Sequence, residues 1–475
     1  MRVVWLMLIG LFASLVAAPI VPPPLTLGGF ALAAALTRGK GRGHGGLGLT
    51  DVREIHKALP QPRRHDPRRH FKPAKGVFVG IDASGRAAYL PWARVRKSHV
   101  DLVGITGMGK SVAASIVLAQ CAMAGEAVCV FDPKDDEFMA GALFEWAKEK
   151  GLPFRFLDLR PTAPPQLGLF DGAQPHDIEE LFVAGFDLTD KGDVADVYRL
   201  DDRHAAAMTA QYMVENRVLT ARQAFAALEP LRKRHKDARK FWADLEELAG
   251  LSCIDTRGGY DIRGLLADGG ILYVLGSTRY ARTVKLQKML CLRLMQLVES
   301  RPRTPAPRYC AVFLDEIKYL LSAEVVRAFG TIRDKYCHII AAHQSLGDLR
   351  DCGNLDPVAV EGAIGNAGIK CVYRVNSPET AQWAARLSGQ VVIARESTEP
   401  ARSWLGAPRR IWSEAQRPYV DENMFLTLPP MVGVWLGEGL ARAVSLSPLP
   451  ADGERPQAIP AESAGFGLDE PLDSI

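Results

Sequence analysis

Residues 104–111 read Gly-Ile-Thr-Gly-Met-Gly-Lys-Ser. The apolar run ahead of them, KSHVDLVGI, predicts a strand, and Lys110 to Ala124 has the apolar spacing of a helix. No other feature constrains the fold as much. A strand that breaks into glycines and restarts as a helix aims backbone N–H groups into one concavity, at the positive end of the helix dipole. That concavity suits phosphate. The spacing is a complete GxxxxGK[ST], so Thr106, Gly107, Met108, Gly109, Lys110, Ser111 and Val112 are the expected nucleotide-binding residues. Lys110 supplies a point charge to the β and γ phosphates, and the Ser111 hydroxyl is a Mg²⁺ ligand. ATP and Mg²⁺ are the implied cofactors. What the nucleotide is used for must come from the rest of the chain.

AVFLDE, residues 311–316, is an apolar strand ending in two carboxylates. Beside a phosphate loop, Asp315 is expected to hold Mg²⁺ through water and Glu316 to activate the attacking water. A further apolar strand ends in AAHQSLGDL. Parallel strands deliver their carboxyl ends to one crevice, which places Gln344 where an orienting amide can meet the γ-phosphate or the water. His343 is left beside it without a direct role, and a helix cap at Ser345 is the alternative reading of this stretch. Asp132, in VFDPKDD, either supports the metal shell or closes a turn. Arg333, in GTIRDKYCHII, ends the helix before the Gln344 strand. On spacing alone it is a solvated helix face.

Strand and helix patterns alternate over residues 76–175 and again over 263–446, which predicts an α/β domain with a mainly parallel sheet. MVGVWLGE and ARAVSLSP are expected as a last hairpin at the sheet edge. Between the two halves, 176–262 carries only helical patterns, an all-α insertion. Its basic run EPLRKRHKDARK offers Arg232, Lys233, Arg234 and Lys236 as candidate contacts to nucleic-acid phosphates, against the plainer reading of a solvated helix face. Residues 447–475, rich in Pro, Ala, Gly and acid, predict a disordered tail.

Residues 3–20 carry no charge, and a weaker apolar stretch follows at 25–36. Lys and Arg then crowd into 38–75, which the positive-inside rule places on the cytoplasmic side. We expect 1–37 to be a membrane anchor of one or two helices and 38–75 a basic linker near anionic lipid. A cleaved signal peptide is the competing reading, but it would export a phosphate-loop domain to a compartment without ATP. The eight cysteines show no metal spacing and several sit in apolar runs, as buried reduced thiols do. The net charge of +4 identifies no partner.

Several nucleotide-using classes are excluded. Leu387-Ser-Gly-Gln390 lacks a glycine of the ABC-transporter signature and lies after the carboxylate motif, so it reads as a helix end stopped by Gly389. No NKxD reads guanine. A small-molecule kinase needs neither an apolar N-terminus nor so wide a gap between its motifs.

LVGITGMGKS, VFDPKDDEF, AVFLDE, IRDKYCHIIAAHQSLGDL and IKCVYRV with ETAQWAARLSGQ, in this order and around a helical insertion, resemble conjugative coupling proteins of the TraD/TraG type. These are type IV secretion ATPases related to FtsK-like and HerA-like translocases. The resemblance covers residues 76–440. It implies a RecA-like domain, a homo-hexamer with ATP between neighbours, and a bacterial inner-membrane location with the ATPase in the cytoplasm. Implied partners are inner-membrane lipids, single-stranded DNA with its relaxase or relaxosome, and the channel components. Arg333 matches the family's proposed finger in its spacing to Gln344, and the insertion would face substrate. The alternative is a docking ATPase for protein cargo. The short stretch around VPPP and the weak second span depart from the family pattern.

Overall fold

The computed structural model describes residues 57–190, 192, 196–353, 355–399, 409–451 and 453–461. The expected anchor, the linker up to residue 56 and the tail from 462 lie outside the described residues. Among the described residues no helix is long and apolar enough to cross a membrane.

The chain divides into two compact units. The larger carries strands β1 (Val77–Ile81), β2 (Ala87–Leu90), β3 (Val100–Val103), β4 (Ala127–Asp132), β5 (Phe154–Asp158), β6 (Gly270–Leu275), β7 (Cys310–Leu314), β8 (Cys337–His343) and β9 (Ile369–Val372). The smaller contributes β10 (Gln390–Glu399) and β11 (Arg409–Pro418), an antiparallel pair in register from Gln390↔Pro418 to Glu399↔Arg409. Strands β12 (Val432–Leu436) and β13 (Arg442–Ser445) return to the larger unit.

One sheet runs in the order β2-β1-β13-β12-β9-β3-β8-β7-β4-β6-β5. From β9 to β5 every neighbouring pair is parallel, and from β12 to β2 every pair is antiparallel. The fold is α/β and RecA-like, with a mostly parallel sheet. β4 shows why its central strands read as unbroken apolar runs. Ala127, Cys129 and Phe131 face one core, and Val128 and Val130 face the other. Both faces are covered, so no polar alternation is possible. The hairpin expected at the sheet edge, β12–β13, is internal instead. The edge is taken by β1–β2, whose β1 pairs with β13.

The helix Lys110–Met123 packs against β1, β4 and β7. It is buried almost all round, including Gln120, whose amide accepts from the Phe78 N–H at 2.8 Å and donates to the Phe78 carbonyl at 3.0 Å. That pairing satisfies a β1 backbone segment that a helix face alone would leave without partners. All eight cysteines are free and buried.

Among its described residues, the segment from 159 to 269 contains helices and short turns but no strand of the sheet. Its main helices are Pro175–Phe186, Asp196–Glu215 and Arg239–Ala249. The stretch TARQAFAALEPLRKRHKD forms two short helices, Ala221–Ala227 and Glu229–Arg234, because Pro230 starts a new helix and cannot continue the old one. The helix Pro378–Leu387 ends at Ser388, with Gly389 in the left-handed region at φ 84°, as the sequence indicates.

The described parts of the basic linker and of the tail expected to be disordered are both attached to the larger unit. In the basic linker, the Tyr89 hydroxyl donates to the His70 carbonyl at 3.0 Å, and Phe71 meets Trp146 edge-on. In the tail, Ser447 donates to the Arg63 carbonyl at 3.0 Å and Leu449 is buried. The Ala461 N–H donates to the Pro165 carbonyl at 2.7 Å. Backbone pairing and scattered apolar residues hold the tail down as far as Ala461 where composition alone favours disorder.

Candidate nucleotide site

The glycine loop is braced by its neighbours before it can hold anything. The Gly104 N–H donates to the His343 carbonyl at 3.1 Å, and the Ile105 N–H to the Arg374 carbonyl at 2.9 Å. The Met108 carbonyl accepts from Met431 N–H at 2.9 Å. Gly104 has φ 154°, and a Cβ there would lie 2.6 Å from the Tyr373 Cβ, so no side chain fits. Gly109, at φ 112°, caps the helix that begins at Lys110. The first N–H groups of that helix have no helical acceptor, and with Thr106, Gly107 and Met108 they form the expected anion cradle. The Lys110 ammonium is buried and donates to the carbonyls of Gly104 and, at 3.3 Å, Ile105. Burial lowers its pKa, against the pull of Asp315 and Glu316.

Asp315 and Glu316 follow β7, two strands from the loop strand β3, with β8 between. Both are buried. Burial pushes the Asp315 carboxyl up to about 7, helped by the charges of Asp132 and Glu316 and opposed by Lys134 and Lys110. Three carboxylates thus crowd one water-poor spot, the donor set a divalent cation would relieve. Asp315, with Ser111 from the loop, is the pair that would hold it.

Glu316 sits in the left-handed region at φ 42°. The Gln344 amide donates to its carboxylate at 3.2 and 3.4 Å, and Lys134 forms an ion pair with it. The loop motif, the paired carboxylates and Gln344 therefore meet at the carboxyl ends of β3, β7 and β8. The Asp132 carboxylate accepts from the backbone N–H groups of Lys134 at 2.9 Å and Asp136 at 2.7 Å, and from the Tyr273 hydroxyl at 2.6 Å. Of its two sequence readings, turn closure is the one this geometry carries.

Arg333 lies elsewhere. It occupies the turn Ile332–Lys335 ahead of β8, with its side chain half exposed. The length of β8 puts roughly 20 Å between it and Gln344. In its own subunit it does not reach the loop. The basic run is also apart from the site. Arg232 stacks on the Phe225 ring at 3.8 Å and Lys233 pairs with Glu229 at 2.8 Å, while Arg234 and Lys236 are exposed.

Sequence reasoning gave Lys134 no role and left His343 beside Gln344. His343 is buried, with Nε2 2.9 Å from the Asp101 carboxylate and Nδ1 2.9 Å from the Ser345 carbonyl. Burial disfavours its charge, but Asp101 and the carbonyl outweigh it and raise the pKa. It thereby ties the base of the loop strand to the Gln344 segment. The one signal in the sequence was a charged Asp101 inside an apolar strand.

A family model described as the TraM recognition site of TraD and TraG matches residues 309–430. Mobilization protein A of Escherichia coli is 31% identical over 354 residues, 73% of this chain. These matches support the reading of a TraD/TraG-type conjugative coupling protein. The chain spans 65% of the length of that Escherichia coli relative. The bacterial conjugative coupling protein TrwB, lacking its first 70 residues, has the same fold. The TM-score is 0.63 at 16% identity, over 84% of this chain and 96% of that one. TrwB in complex with ADP and Mg²⁺ gives 0.60 at 16% identity, over 84% and 96%. VirB4 of Thermoanaerobacter pseudethanolicus gives 0.55 at 12% identity, over 79% and 97%.

Proposed function

We propose that this chain is an ATP-hydrolysing motor that moves relaxase-bound single-stranded DNA towards a type IV secretion channel. Its place is the bacterial inner membrane, held there by residues 1–37 with the ATPase in the cytoplasm. One observation carries the reading. Lys110, Asp315, Glu316 and Gln344, from three parallel strands and the helix they feed, converge on one buried, charged edge. Phosphoryl transfer needs such an edge: a cradle, a cation held by carboxylate and hydroxyl, a base and an orienting amide. The solved TrwB complexes with ADP and Mg²⁺ and with a GTP analogue support the choice of ligands.

With Mg-ATP bound, Lys110 and the loop N–H groups hold the phosphates. Ser111 and Asp315 hold the cation, which supplies charge neutralisation. Glu316 takes a proton from the attacking water, and Gln344 orients that water. Arg333 can serve only a neighbour's nucleotide, because its own strand holds it away. That argues for a closed ring, the hexamer of the family.

The motor reading is tested by hydrolysis. Full-length protein in detergent should hydrolyse ATP severalfold faster with single-stranded DNA than without. Equal rates would favour the docking reading for protein cargo.

Metal binding should depend on pH. With its pKa near 7, the Asp315 carboxyl is protonated in more acid solution and must lose that proton to take a cation. Apparent Mg²⁺ affinity of the nucleotide complex should fall about tenfold per pH unit below 7 and level off above it. Equal Mg²⁺ affinities at pH 6 and pH 8 would contradict the assignment of Asp315.

A further inference from the structure

Lys134 lies in the turn that follows β4, and its ammonium meets the carboxylate of Glu316. We propose that Lys134 is a positioning residue that gates the candidate base. While paired, it withholds Glu316 from the attacking water, and movement of its turn releases the carboxylate. The inference rests on the hydrolase reading above and adds its control.

The contact chemistry comes first. Glu316 is almost wholly buried, and its oxygens meet Lys134 and the Gln344 amide. A general base needs a lone pair aimed at water, and its charge must be free to accept the proton. An ammonium on the same oxygen opposes both.

The pair also has one movable partner. Glu316 follows directly from a central strand. Lys134 is 32% exposed on a surface turn. Its turn is wired to distant parts of the chain. Asp132 holds the Lys134 and Asp136 N–H groups, and Asp135, left-handed at φ 61°, makes two ion pairs. One is with Arg160 just past β5, at 3.2 Å, and the other with Arg455 of the C-terminal segment, at 3.4 Å. Arg455 also donates to the Asp136 carbonyl at 3.4 Å. Both guanidiniums are 40% exposed or more. A single strand of nucleic acid that draws them onto its phosphates frees Asp135, loosens the turn and lifts Lys134 from Glu316. Polymer contact at the surface is thereby coupled to the base.

The test uses full-length protein and ATP hydrolysis with and without oligo(dT). Lys134→Met keeps the stem of the side chain and removes its charge. It should raise the unstimulated kcat about fivefold, the worth of one partly exposed ion pair, and leave KM for ATP within about twofold. The stimulation by oligo(dT) should shrink by the same factor. Lys134→Arg, which keeps a cation over Glu316, should give a smaller rise. A structural role would instead lower the melting temperature and kcat together. If Lys134→Met melts low, Arg455→Ala loosens the turn from outside, and a rise of about twofold in unstimulated rate is expected. An active wild type whose unstimulated rate is unchanged or lowered in both variants overturns the gate alone. Wild type and variants all inactive, with and without oligo(dT), overturn the hydrolase reading and the gate with it.

Discussion

Glu316→Gln lowers kcat for ATP hydrolysis by roughly 10²–10⁴-fold, the range for loss of a general base, while the Kd for nucleotide stays within about twofold. The substitution is nearly isosteric. It keeps an oxygen for the Gln344 amide and removes only the group that can take a proton from water. Glu316 is buried at the end of β7, one strand from Gln344. Binding should survive, because the phosphates are held by the loop and Lys110. The check is steady-state hydrolysis beside a fluorescent-nucleotide titration. A kcat within tenfold of wild type would remove Glu316 from the base role and leave Asp132 or Asp315 to be examined.

Lys110→Ala should weaken nucleotide binding by about tenfold to a hundredfold, the usual cost of one hydrogen-bonded charge. Turnover should fall by a further factor of at least about 10², because the same ammonium stabilises charge that develops on the transferring phosphate. The fold should hold, since the Lys110 ammonium donates its hydrogen bonds to the loop's own carbonyls. This inactive subunit also probes the ring. Arg333 stands at the far end of β8 from Gln344, so the proposed finger role requires a neighbouring subunit's site. Lys110→Ala subunits retain Arg333, and Arg333→Ala subunits retain a complete loop. Mixed in equal amounts, the two should recover a measurable part of the wild-type rate. A mixture no more active than its components, in assembled rings, would take Arg333 out of the site.

Much of the architecture was legible because its signals are local. The glycine spacing, the apolar runs of β3, β4, β6, β7, β8 and β9, and the absence of strand pattern over 176–262 each depend on near neighbours in the chain. The paired strands β10 and β11 were not foreseen. Their sequences mix Arg and Glu with Val and Ile, a pattern that a two-stranded ribbon tolerates and a buried strand does not. Nor did the pattern place β12 and β13 inside the sheet, since pairing partners are chosen by contacts far apart in sequence.

The candidate site divides the same way. Which residue types were present, and that a phosphate cradle followed a strand, came from Gly104 to Ser111 alone, because a left-handed glycine and a helix start are backbone properties of adjacent residues. Three features needed the tertiary structure. Gly104 must stay glycine because Tyr373, from β9's end, leaves no room for a Cβ. Asp315 titrates near 7 because burial and two other carboxylates surround it. Glu316 is held by Lys134 because the parallel sheet sets β4 beside β7. Each is a through-space effect of groups brought together by strand order, and strand order is settled only when the whole sheet assembles.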